Sequence, residues 1–214
     1  MKTNYQLELD KIIDSLTFTP RLLLHACCGP CASYVLEYLS KHFEIDVFYY
    51  NPNIYPAEEY EKRGRELARL IDSMPFDNPV RLITAPYEPE RFYEVAQGME
   101  LEREGGNRCT NCFWLRLNET AQRAKSGGYD WFATTLTVSP HKNAQLINTI
   151  GLELAQGIGV PYLVSDFKKR GGYTRSIELC REYDVYRQSY CGCDYALNHA
   201  KYVAESQREY DEDE

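Results

Sequence analysis

Short apolar runs alternate along the chain with longer segments whose apolar residues recur every three or four positions. Residues 21–25 (RLLLH) are almost uninterrupted apolar, the pattern of a strand covered on both faces. Residues 31–41 carry Val35, Leu36 and Leu39 at helical spacing. Residues 43–50 form a second strand, stopped by Asn51-Pro52-Asn53. The same reading predicts helices over 57–72, 88–97, 112–125, 174–183 and 194–207, and strands over 80–84, 129–135 and 161–164. A further helix is predicted over 141–156, with Ser139 as its cap and Pro140 at its first turn. Strands separated by helix-length connections specify an α/β domain with a mostly parallel sheet. In such sheets the ligand site lies beyond the carboxyl ends of the strands. We expect an N-terminal extension over 1–20, one α/β domain over 21–204 and an acidic tail over 205–214.

Composition narrows the class. No apolar run approaches the roughly 18 residues of a membrane span, and residues 1–14 have no signal-peptide core. A cytoplasmic protein without a membrane partner is expected. The 32 acidic residues outnumber the 24 basic ones, for a net charge of −8. That excludes a broad, sequence-blind nucleic-acid-binding face, though not a local basic patch.

The eight cysteines change the picture most. In a reducing compartment structural disulfides are not expected, and grouped cysteines point to metal or catalysis. Seven fall into three groups beside glycines in turns: Cys27-Cys28-Gly-Pro-Cys31, Cys109-Thr-Asn-Cys112 and Cys191-Gly-Cys193. Cys180 stands alone in a helical stretch and reads as a core residue. Thiolates from three segments suit zinc, copper(I) or iron–sulfur. Seven exceed one four-ligand centre, so two metal sites, or one site plus reactive thiols, are expected. Two rivals use the same residues. Cys28-Gly-Pro-Cys31 between strand and helix has the spacing of a thioredoxin-type redox motif, and a closed zinc site needs only four ligands.

Taken together, several motifs resemble one family. They are His25-Ala-Cys-Cys-Gly-Pro-Cys31, Tyr50-Asn-Pro-Asn53 followed by Glu59-Tyr60, Arg108-Cys-x-x-Cys112 with Leu115-Arg116-Leu117, Thr134-Thr135-Leu136-x-Val-Ser-Pro140, Asp166-Phe-Lys-Lys169 and Tyr186-Arg-Gln188-x-Tyr-Cys-Gly-Cys193. In this order, from about Leu22 to Ala200, they look like the QueH-type epoxyqueuosine reductases. The resemblance implies an oxidoreductase of tRNA queuosine biosynthesis. Such an enzyme removes the epoxide oxygen of epoxyqueuosine at the wobble position and leaves the cyclopentene of queuosine, without cobalamin. It implies a [4Fe–4S] cluster and a second, mononuclear metal ion, expected to be iron. It also implies a Rossmann-like three-layer fold similar to the nucleotide-binding-type domains of tRNA-modifying enzymes. Here the loop after the first strand is Cys-Cys-Gly-Pro-Cys rather than a phosphate loop, which argues against ATP chemistry.

Reductive removal of an epoxide oxygen takes two electrons, so an external electron donor is a required partner, with the epoxyqueuosine-bearing tRNA as substrate. Neighbouring cysteines are expected to point apart and to serve different metals. That assigns Cys28, Cys109, Cys112 and Cys191 to the cluster and Cys27 and Cys193 to the second metal, with Cys31 joining either. Asp166 is the candidate acid or carboxylate ligand, and His25 a candidate proton donor. Lys168, Lys169, Arg170 and Arg175 form a basic patch broken by Gly171-Gly172, the candidate tRNA contact. The 18 tyrosines offer stacking surfaces for an extruded base. Other readings of the same residues are an iron–sulfur-dependent tRNA sulfur transferase and a zinc-stapled RNA-binding module.

Overall fold

A computed structural model describes residues 2–100 and 102–198. Helix α1 (Tyr5–Asp14) is followed by β1 (Arg21–His25), α2 (Gly29–Leu39), β2 (Glu44–Tyr49), α3 (Ala57–Ser73) and β3 (Val80–Thr84). Then come α4 (Glu90–Ala96), α5 (Asn107–Ser126), β4 (Trp131–Thr134), α6 (Ala144–Ile158) and α7 (Gly172–Glu182). The four strands form one sheet in the order β3-β2-β1-β4, with every pairing parallel. This is the expected Rossmann-like arrangement.

Both faces of β1 are buried, and its alternation builds the three layers. Leu22 and Leu24 pack with Val35, Leu36 and Leu39 of α2 and Leu67 of α3. Leu23 faces the other way, toward Phe113 and Leu117 of α5 and Ile147 of α6. Each of the three leucines is fully buried, worth roughly 1.5–3 kcal/mol apiece against exposure. The N-terminal extension is also structured: in α1, Leu9 is fully buried in the α2 layer.

Three expectations need correction. Ser139 does not cap a helix. A 3-10 turn (Thr135–Val138) follows β4, Ser139 is extended, and α6 starts only at Ala144, where the Asn143 side chain accepts from Leu146 N–H. Residues 161–164 are not a full strand. Pro161 has no N–H to donate, and Ser165 is tied to α6 by Asn148 (Oδ1 accepts from Ser165 N–H at 2.9 Å). Only the parallel Phe132–Tyr162 bridge remains. Finally, α5 begins at Asn107, so Cys109 and Cys112 both lie in its first two turns. The acidic tail, and the predicted helix 194–207 beyond residue 198, lie outside the described residues.

Candidate metal centre

Strand alternation ends at His25, and Cys27 and Cys28 lie in the turn between β1 and α2. Pro30 fits the first turn of α2 because its missing N–H has no helical partner to lose. Gly29 is required by packing, since a Cβ there would meet Val185 Cγ1 at 2.9 Å. Cys28 stands at the N-cap with no side-chain hydrogen bond capping the helix, so the partial positive end of α2 faces the cysteine group. The Cys27 and Cys28 sulfurs are 3.6 Å apart, and the sulfurs of Cys27, Cys28 and Cys31 all lie within 4.8 Å of one another. The expectation that these neighbours diverge is therefore not met, because period-two alternation does not extend past the strand. Three thiols so placed can hold one metal ion.

Their proton chemistry is shared. Cys27 sits well below the usual thiol range because Cys28 and Cys31 donate to it; Cys28 is pushed up to about 12 by the same bond, and Cys31 is raised. Without a metal, one proton leaves readily and the other two do not.

Cys109 and Cys112 are one helical turn apart and face the same side of α5. Cys109 Sγ accepts from Gly105 N–H at 3.2 Å. Cys191 and Cys193 arrive on a separate segment, which α3 clamps through Arg63. Its guanidinium, 1% exposed, pairs with Glu59 at 2.8 Å and donates to the carbonyls of Cys191 (3.1 Å) and Tyr190 (3.4 Å). Gly192 between the two cysteines has φ of 140°, and a Cβ there would crowd Ile54, Arg63 and Asn53 at 3.1–3.3 Å.

Two adjoining cavities result. The smaller, about 80 Å³, is lined by Cys109, Cys112, Cys191 and Cys193 with Arg116 and Phe113. The larger, about 400 Å³ and open, is lined by Cys27, Cys31 and Cys191, with Tyr173, Arg187 and Tyr190 among its walls. Glu104, His141, Lys142 and Cys191 border both.

Arg116 is 2% exposed, yet among the described residues it has no carboxylate partner; its Nε donates to the Cys112 carbonyl at 3.1 Å. Burial alone lowers its pKa, and the opposing field of Cys112, Cys191, Cys27 and Cys109 outweighs it, so the net shift is upward. Lys142, half-buried where the two cavities meet, shifts the same way: desolvation lowers, Cys191, Cys31 and Cys27 raise, and the net is upward. A buried cation must be paired. Among the described residues no carboxylate lies within ion-pair distance of Arg116 or Lys142, and the cysteines supply the raising field, which is the charge pattern of a thiolate–metal centre.

A family profile for epoxyqueuosine reductase QueH matches residues 22–199. The chain belongs to the epoxyqueuosine reductase QueH family. Relatives include the epoxyqueuosine reductase QueH of Streptococcus pyogenes serotype M1, 42% identical over 92% of this chain and 80% of that protein. That of Staphylococcus epidermidis is 44% identical over 91% and 85%, and that of Staphylococcus aureus 43% over 91% and 84%.

Of the other residues expected at the site, His25, Asp166 and the basic stretch lie outside the two cavities. His25 is fully buried and lines neither cavity. Its Nε2 faces the Tyr50 carbonyl (3.2 Å) and Asn51 Oδ1 (3.3 Å), so it carries the proton, and Nδ1 accepts from Thr134 Oγ1 at 2.9 Å. Burial, then the charge of Arg116, lower its pKa to about 4. It is a neutral tie across the carboxyl edge of the sheet. Asp166 lines a third, open cleft with Lys168 and Lys169, which approach it at 3.5 and 3.7 Å. Arg170 pairs with Asp10 at 2.5 Å, and Arg175 with Glu37, Glu178 and Glu182. Cys180 is buried beside Leu70, Met74 and Leu179, yet it also borders the large cavity. Lys142, Arg63 and Glu104 had no signal in the sequence, since each reaches the site only through tertiary packing.

Proposed function

We propose that this chain removes the epoxide oxygen of epoxyqueuosine in tRNA, using two electrons and two protons and releasing the oxygen as water. Family membership supports the activity. The single structural observation that carries it is the convergence of the three cysteine groups at two adjoining cavities, beside Arg116 and Lys142, which have no carboxylate partner among the described residues. The reaction is cytoplasmic, on tRNA, with electrons from an external one-electron donor.

The donor set fits the implied metals. Cys109, Cys112, Cys191 and Cys193 would hold a [4Fe–4S] cluster, and Cys27, Cys28 and Cys31 the second ion, taken as iron. This regroups Cys28 and Cys193 relative to the expectation from spacing, on the strength of the 3.6 Å approach of Cys28 to Cys27 and the lining of the small cavity. Bound there, the metals would supply single electrons and a Lewis acid for the epoxide oxygen. The chain's own residues do the rest. The large cavity admits the modified side chain of an extruded base, with Tyr173 and Tyr190 as flat walls. Arg116 and Lys142 stabilise negative charge at the sulfurs. Glu104, His141 and Lys142 border both cavities and are better placed than Asp166 or His25 to deliver a proton to the leaving oxygen. Among the patch residues, Lys169 and Arg170 are the tRNA contacts we favour.

The test is the product. Anaerobically purified chain, given epoxyqueuosine-bearing tRNA and a chemical reductant, should yield queuosine in nucleoside digests without ATP. An ATP-dependent thiolated nucleoside would instead identify a sulfur transferase, and no turnover with tight RNA binding a zinc-stapled module.

A further inference from the structure

Gln188 lines the large cavity on the segment that leads to Cys191. Its Nε2 donates to Cys28 Sγ at 3.0 Å, joining residues 160 positions apart. Its Oε1 is buried and has no hydrogen-bond partner among the described residues. The amide's orientation follows from the sulfur. A thiolate that holds a metal only accepts, so the NH2 end must face it and the carbonyl end is left over. Unpartnered buried acceptors are rare, because leaving one unpaired forfeits its hydration. The segment is fixed on both sides: Tyr186 N–H donates to Glu66, and Arg63 holds the Tyr190 and Cys191 carbonyls. The amide therefore cannot easily swing away to find a partner. Gln188 is itself a wall of the large cavity, so that cavity is the side from which a donor reaches Oε1.

We infer that Gln188 is a positioning residue for the reaction: its N–H fixes the Cys28 sulfur while its Oε1 accepts from an O–H or N–H of the bound nucleoside. One side chain thereby sets the distance between substrate and metal-holding thiol. The inference rests on the reading of the large cavity as the epoxyqueuosine site. An N–H···S bond also draws charge from the thiolate and raises the reduction potential of the centre it serves.

The experiment uses the iron-loaded full chain as wild type, Gln188→Leu and Gln188→Glu. Leucine removes both contacts; glutamate keeps an acceptor and removes the donor. Midpoint potentials are read by dye-mediated titration without substrate, and KM and kcat separately with epoxyqueuosine-bearing tRNA. We expect both variants to keep their iron and both potentials to move negative. KM should rise about three- to tenfold in Gln188→Leu, the value of one hydrogen bond, and little in Gln188→Glu. Unchanged potentials in both variants would overturn the sulfur contact, and a wild-type KM in Gln188→Leu the substrate contact. Loss of iron from both would mark Gln188 as a prop for assembly and overturn the proposal as well. If Gln188→Leu does not fold, the near-isosteric Gln188→Glu decides on its potential alone. Absence of reductase activity in the wild type would count against the functional reading, while the potentials would still report on the sulfur contact.

Discussion

The chain holds its cations in two contrasting ways. Along the stretch from Lys168 to Arg175 each has a carboxylate: Asp166 for the two lysines, Asp10 for Arg170, and Glu37, Glu178 and Glu182 for Arg175. Around the cysteines, Arg116 and Lys142 have no carboxylate partner among the described residues, and thiols provide their opposing field. The sequence draws attention to the first set, where basic residues cluster. The structure shifts it to the second. A paired surface cation contributes about 0–1 kcal/mol and fixes little. A buried cation left without a carboxylate identifies where an anionic group belongs.

The sharpest break of this contrast removes the anions. Cys112→Ser should lose the bound iron and the activity together, checked by iron and sulfide analysis of anaerobically reconstituted protein. Retained iron would mean that the small cavity does not hold the cluster. Next comes the cation. Arg116→Met should destabilise the metal-loaded protein by about 3 kcal/mol, the penalty for leaving buried charge unpaired. The metal-free form, with most thiols protonated, should lose distinctly less. Denaturant melts of both forms measure the difference, and equal losses would make Arg116 an ordinary packing residue.

The paired stretch should respond more weakly. Lys169 and Arg170 keep 41% and 57% of their side chains exposed, so phosphates can compete for them. Lys168 is 26% exposed and donates to the Ser139 and Lys142 carbonyls, so it is less free. The Lys168/Lys169/Arg170 triple alanine variant should therefore lower the salt slope of tRNA binding by about two, at roughly one per phosphate contact, with its visible spectrum unchanged. An unchanged slope would place the anticodon elsewhere. Least affected should be Cys180→Ser, which should keep its iron and activity and lose about 1 kcal/mol of stability for a hydroxyl in an apolar cluster. Iron loss there as complete as in Cys112→Ser would add Cys180 to the ligands.

Much of this was legible in the sequence where the signal was local. β1 follows from its near-continuous apolar run, β2 and β3 from short runs of Val, Ile, Leu and Phe bounded by turn residues, and the seven cysteines from their spacing beside glycines and turns. What the sequence could not supply was which thiols come together, because adjacency in a turn does not fix direction: Cys28 Sγ lies 3.6 Å from that of Cys27, and Cys193 lines the small cavity with the α5 pair. Nor could it distinguish Ser139 from Asn143 as the cap of α6, since both are good capping residues and the choice depends on the 3-10 turn after β4. Lys142 lies in the loop between that turn and α6, so its approach to the sulfurs was hidden with it. Arg63 looks like any charged residue of an amphipathic helix until the Cys191 segment folds over it.

The central claim is that thiol-held iron, and not a closed zinc site, carries the reaction. The direct measurement is iron, zinc and acid-labile sulfide per chain, taken beside the conversion of epoxyqueuosine-bearing tRNA by the same anaerobic samples. The account predicts several irons with sulfide in the active protein, and activity that falls as the iron is chelated out. One zinc per chain, no sulfide and full activity would contradict it.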